Sequence, residues 1–183
     1  MNNAANSLGS ISKDRNLIRK ENLMWKYTSK NSYPNIILHD CEIEGVRIED
    51  TAVVLEFDKW GFWICEEHPQ NSFKKLLRTG KSEVCLTDID VFSVYVHSQL
   101  RFAGKILFTK RSEVSLDDFA ANINSSKWKF EFVDEYYGGG HRSVMFCGYT
   151  STKKRCRSIY TQIEVSFGEC QYYWNKIYED RPW

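Results

Sequence analysis

The sharpest chemical feature of the chain is Glu135-Tyr136-Tyr137-Gly138-Gly139-Gly140-His141-Arg142. Three glycines in a row open backbone conformations closed to other residues and let a ligand approach the main chain. His141 is the side chain type that titrates near neutral pH, and Arg142 can hold an anion through a planar fork. The flanks read as strand, loop and strand. A phosphate-cradling loop needs a helix opening directly after its glycines, and none is predicted. Two readings remain, a hairpin tip and a loop that binds a partner.

Other residues with chemical potential are more scattered. His39-Asp40-Cys41 places a base, an acid and a thiol side by side. On a strand His39 and Cys41 would share one face, but two ligands do not make a zinc site, and a nucleophile needs its base in space. The expected role is a polar cluster at a strand end. Asp88 and Asp90 are two apart and could face one way on a strand, as paired carboxylates or a solvated edge. His68 and His97 carry no spacing signal. Among six tryptophans and ten tyrosines, Trp60, Trp174, Tyr136 and Tyr137 stand beside turns or on both faces of strands. They are expected to include exposed anchors of a binding surface.

These side chains need a β framework. In Lys127–Val133, Trp128, Phe130 and Phe132 alternate with Lys127, Lys129 and Glu131, the period of a strand with one dry and one wet face. Further strands are expected at Ile36–Cys41, Ile43–Ile48 with a bulge at Gly45, and Thr51–Phe57 returning as Phe62–Cys65. Others are expected in Val84–Val96, at Leu100–Thr109 with an interruption at Gly104, and at Ser143–Tyr149, Ile159–Phe167 and Cys170–Trp174. Ser115–Ile123 carries the main helix signal. Ser115 can cap it, Asp117 and Asp118 suit its positive end, and Leu116, Phe119, Ala120 and Ile123 form an apolar stripe. Phe73, Leu76 and Leu77 suggest a short helical turn, and Asp14–Trp25 a short helix in an otherwise loose segment 1–26. The expected fold is mainly β (β-rich α+β): residues 27–183 form one domain of antiparallel sheets, packed as a sandwich or open barrel with one or two short helices.

Composition bounds the function. The 183 residues suffice for a core without metal or disulfide staples. Twenty-five bases balance 24 acids, so the basic surplus of a nucleic-acid-binding domain is absent overall and none is expected as partner. Lys153, Lys154, Arg155 and Arg157 form the densest basic run, read as a solvated loop. No apolar run reaches membrane-spanning length, and no basic leader with an apolar core is visible, so a cytoplasmic protein away from membranes is expected. Six cysteines, most at strand-like positions and none in Cys-x-x-Cys spacing, read as reduced structural residues. No metal or cofactor is expected.

Leu38-His39-Asp40-Cys41, the Val53-x-Leu55-x-Phe57 strand and Gly61-Phe62-Trp63-Ile64 together resemble small bacterial β domains of uncharacterised or immunity type, over residues 36–66. The resemblance supplies no catalytic residue. It implies a non-enzymatic binding protein that neutralises a protein partner by covering its surface. Tyr136, Tyr137, His141, Arg142, Trp60 and Trp174 are the expected contact residues. The alternatives are a β-sandwich that binds a small molecule or carbohydrate through exposed aromatics, and a hydrolase with a carboxylate or His141 in a cleft. A flat aromatic patch with a charged rim would favour protein binding.

Overall fold

The alternating stretch forms the first half of β10 (Trp128–Tyr137), near the centre of a ten-stranded antiparallel sheet. The computed structural model describes residues 25–152 and 155–179. Before β10 come β1 (Tyr27–Lys30), β2 (Ile36–Ile37), β3 (Glu42–Glu49), β4 (Ala52–Phe57), β5 (Trp63–Ile64), β6 (Leu77–Arg78), β7 (Ser82–Thr87), β8 (Val91–Phe102), β9 (Lys105–Val114) and helix α1 (Leu116–Asn124). After it come β11 (Ser143–Thr152), β12 (Arg155–Ser166) and β13 (Glu169–Trp174). The large sheet runs β1-β13-β7-β4-β3-β10-β11-β12-β8-β9, and a second, small sheet runs β2-β5-β6. The expected helix over Asp14–Trp25 falls, apart from Trp25, outside the described residues. Lys153 and Lys154 do too, as do the side chains of Arg155 and Arg157.

The large sheet bends back on itself. Only Phe167 and Gly168 separate β12 from β13, although these strands belong to opposite halves of the sheet. At this crossing Phe167 N donates to Arg142 O and Gly168 N to Thr87 O, each at 2.9 Å. The sheet stays open, with β1 and β9 as its edges. The small sheet and α1 close over its inner face, burying Ile36, Phe62, Ile64, Phe119 and Ile123 against it.

Aromatic rings bind the inner face together. Phe132 contacts Phe130 at 4.8 Å, Phe146 at 5.2 Å and Phe57 at 5.6 Å between ring centroids. Phe62 continues the series to Tyr172 at 5.7 Å and Trp174 at 5.8 Å. Most of these pairs meet edge to face, the arrangement that ring quadrupoles favour. Phe130 and Phe132 are fully buried as the alternation requires, whereas Trp128 is only partly buried at the strand's start, against Phe119.

Helix α1 forms as its signals dictate. Ser115 Oγ accepts from Asp118 N at 3.1 Å, and Phe119, Ala120 and Ile123 are buried. Asn124 fixes the helix end to β3, accepting from Val46 N and donating to Val46 O, each at 2.8 Å. The bulge expected at Gly45 is present: pairing steps from Ile43–Phe57 to Gly45–Glu56.

Several elements differ from expectation. Residues 36–41 contain only the two-residue β2, because the chain turns at His39-Asp40 with Asp40 at φ 56°. Asp88 and Asp90 lie in the turn between β7 and β8 rather than on a strand, and Val84–Val96 takes the two-strand form of the two that its pattern allowed. No helix forms around Phe73. The buried Asn71 shapes that segment instead, donating to Cys65 O at 2.9 Å and Lys75 O at 2.8 Å while accepting from Phe73 N at 3.1 Å. The interruption at Gly104 is a reversal. Ala103 and Gly104, at φ 47° and 79°, form the two-residue turn between β8 and β9, where positive φ at both positions matches the strand twist.

Candidate functional site

The predicted loop is a tight connection between β10 and β11. Gly139–His141 make a single 3-10 turn, closed by Gly138 N donating to Ser143 O at 2.8 Å and His141 N to Gly138 O at 3.1 Å. His141 and Arg142 are exposed. Tyr136 and Tyr137 point to opposite sides, but not as simple alternation from Phe132 would have it. β10 has a bulge between Phe132 and Asp134, so the face inverts: Phe132 opposes Gly148, whereas Glu135 opposes Phe146 and Tyr137 opposes Val144. Phe146 and Val144 are core residues, so Glu135 and Tyr137 turn inward and Tyr136 outward, 56% exposed.

Inward, the loop rests on an aromatic and acidic cluster. Tyr33 stacks on Tyr137 with centroids 3.9 Å apart, and His141 lies 5.8 Å from Tyr33 and 6.0 Å from Tyr137. Tyr137 OH donates to Glu135 Oε2 at 3.0 Å and stands 3.5 Å from Tyr172 OH. Glu135 Oε1 accepts from Leu38 N at 2.6 Å. Both carboxylate oxygens are thus engaged by the protein, tying β10 to the segment after β2. Burial pushes the Glu135 carboxyl up from 4.5 to about 7, against the lowering effect of those two hydrogen bonds and of His39.

This has a consequence for stability. A folded-state pKa above the unfolded value means that the folded chain holds more protons between pH 4.5 and 7, so stability falls as pH rises through that window. Glu135→Gln keeps an acceptor for Leu38 N and can donate to Tyr137 OH. It is expected to remove this slope and to stabilise the chain at pH 8 by about 1–3 kcal/mol, partial exposure holding the gain down. Denaturation at pH 5 and pH 8 measures it. An unchanged pH slope would contradict the inward placement of Glu135.

The other predicted residues do not join this loop. Trp174 is fully buried, stacked on Tyr27 at 5.6 Å and facing His68 at 5.7 Å. It is a core residue rather than an exposed anchor, because β13 turns its Cys170-Tyr172-Trp174 face inward. Trp60 is partly buried in the turn after β4, 6.0 Å from Tyr178 and beneath Lys59 at 5.0 Å, a separate cluster. His39 lies 3.3 Å from Asp40 at an exposed turn. Cys41 receives a hydrogen bond from Arg78 Nη1 at 3.3 Å, while burial pushes its thiol well up and that of Cys170 to about 12, away from nucleophilic thiolates. The five cysteines with described side chains are free thiols. Among the described residues no group of three His, Cys, Asp or Glu side chains could hold a metal, and no helix is long and apolar enough to cross a membrane.

An open groove of about 500 Å³ runs along the rim beside the loop, between Val91, Tyr136, Met145, Glu164 and Ser166. It leads onto the outer face of the sheet, where tyrosines form a row. Tyr149, 44% exposed, meets Tyr160 at 6.0 Å, and His97 meets Tyr160 at 5.2 Å. Arg111 lies 3.5 Å over Tyr95 and binds Glu164 at 2.7 Å. The row ends at β9.

Among the described residues, the β8–β9 hairpin, which sequence reasoning missed, carries from Leu100 to Phe108 five of the ten exposed large apolar side chains. Among the described residues, β8 pairs with β12 as far as His97–Tyr160, and from Ser98 onward with β9. On this arm Leu100 is 62%, Phe102 73%, Ile106 51%, Leu107 62% and Phe108 57% exposed. Leu100 opposes Phe108 and so continues into solvent the face that carries Val94 and Val114 toward the core. A two-stranded hairpin is marginal alone in water, and full burial of such side chains is worth about 1.5–3 kcal/mol each. The signal was present in Leu100-Arg101-Phe102 and Ile106-Leu107-Phe108, but a central strand would read the same.

The chain matches no family model, and no curated protein or solved structure is similar to it.

Proposed function

We propose that the protein is a non-enzymatic protein-binding module, immunity-like in that it neutralises a partner by covering its surface. The β8–β9 hairpin is the central contact. The observation that carries this reading is the five large exposed apolar side chains gathered on this arm. Apolar patches of this kind, rimmed by charge, mark interaction sites. The tyrosine row on the adjoining outer face adds aromatic surface of the kind enriched at protein interfaces. Small-ligand binding has less support, because the groove beside the loop, lined in part by Tyr136 and Tyr137, is open. Hydrolysis has less support because Glu135 is engaged on both oxygens.

The test places a photoreactive benzoylphenylalanine at position 107, with controls at the exposed Phe73 and Tyr136, and irradiates the intact cells that make the protein. The expected result is one discrete adduct from position 107, absent from position 73. Adducts from position 136 alone, or equal adducts from all three positions, would overturn the assignment of the hairpin.

A further inference from the structure

We infer that the partner contributes an extended, acidic segment that adds to β9 as an eleventh strand of the sheet. The inference rests on the hairpin being the contact surface. β9 is the last strand of the sheet, and every residue from Lys105 to Arg111 is exposed. Its free edge presents a row of main-chain donors and acceptors that another strand can satisfy.

Charge selects the partner. From Val91 to Ser112 the sequence has four bases, Arg101, Lys105, Lys110 and Arg111, and no acid. Glu164 neutralises Arg111 at 2.7 Å. Among the described residues no acid lies within ion-pair distance of Lys105 or Lys110. A second copy of β9 would bring like charges together, with Glu113 as the strand's single acid. An anionic membrane would suit the bases and the apolar tip, but it would leave the edge's main-chain groups unpaired in hydrocarbon. An acidic strand satisfies the charge and the main chain together.

Register sharpens the pattern. Lys110 opposes Ser98, Phe108 opposes Leu100, and Lys105 opposes Phe102, with Leu107 taken up by the bulge between them. One face of the edge therefore reads base, apolar, base. The complementary strand carries acid, apolar and acid on one face, that is acid-x-apolar-x-acid in sequence.

The probe is a fluorescent peptide alternating Thr with Glu, Val and Glu, titrated into the full chain and followed by anisotropy. The expected result is saturable binding that weakens about five- to tenfold when Lys replaces Glu in the peptide, or when the protein carries Lys105→Glu with Lys110→Glu. A central proline in the peptide is expected to abolish binding, since it removes a main-chain donor. Equal binding of the Lys or proline peptide would overturn the inference. So would a dimer in sedimentation that dissociates in the Lys105→Glu, Lys110→Glu variant. Co-sedimentation with phosphatidylserine-containing phosphatidylcholine vesicles, without peptide binding, would overturn it in favour of a membrane. If the position-107 adduct forms while the peptide fails to bind, only the acidic-strand inference is lost. If no adduct forms, the hairpin reading itself is lost.

Discussion

Phe132→Ala is expected to lower the free energy of unfolding by about 3–5 kcal/mol, the range for a large ring removed from a core that cannot collapse. Phe132 is fully buried and touches rings from its own strand, from β4 and from β11. Its backbone is fixed as well, with Phe132 N donating to Cys41 O and accepting Asp40 N at its carbonyl, each at 2.9 Å. Neither the rings nor the chain can move in to fill the void. Trp128→Ala, at the partly exposed start of the same strand, is expected to cost less. Denaturant titration of both variants gives the comparison. A loss below about 1 kcal/mol for Phe132→Ala would contradict the aromatic core described above.

The second large effect is on binding. Leu107→Ser combined with Phe108→Ser is expected to weaken partner association by about 2–4 kcal/mol, roughly 30- to 1000-fold, as loss of central apolar anchors does. The same variant is expected to leave the unfolding free energy within about 0.5 kcal/mol of the parent, because surface substitutions that remove no packed contact have small effects. Both residues are more than half exposed. The pairing of these outcomes separates a contact surface from a core element. Weakened binding with an equal fall in stability would place the hairpin in the folded core instead.

Much of the fold was legible because period-two alternation survives wherever a strand is regular. The first half of β10 and the strands Ser143–Tyr149 and Ile159–Phe167 follow it, and α1 follows its cap and stripe. What failed was parity and direction. At Val133 one extra residue inverts the faces, so Glu135 and Tyr137 turn inward. A bulge of this kind has no reliable residue signature, and Val133 offered none. Gly45 did, and its bulge was read correctly. Trp174 was misplaced because Tyr172, Tyr173 and Trp174 run together, and only the pairing of β13 with β7 shows which of them face the core. The hairpin was missed for a related reason. Ala103-Gly104 is a weak turn signature, so the end of β8 and the edge strand β9 read as one strand with an interruption. Apolar side chains advertise burial, and sequence alone does not show that here they stay exposed in the folded chain.

The apolar side chains of residues 36–66, on which the resemblance to immunity-type domains rests, are mostly core. Leu38, Cys41, Leu55, Phe57, Phe62 and Ile64 are all buried. These buried side chains shape the scaffold and are not available to a partner. The contact surface proposed above lies on β8 and β9, beyond that segment.

The most direct measurement is amide hydrogen exchange of the chain alone and with its crosslinked partner bound. Strand addition and burial of the apolar tip predict that amides within Lys105–Ser112 gain protection on binding, while those of the loop at residues 138–142 are unchanged. Protection confined to residues 136–142, with the hairpin exchanging as fast as in the free chain, would contradict the assignment of β8–β9 as the contact surface.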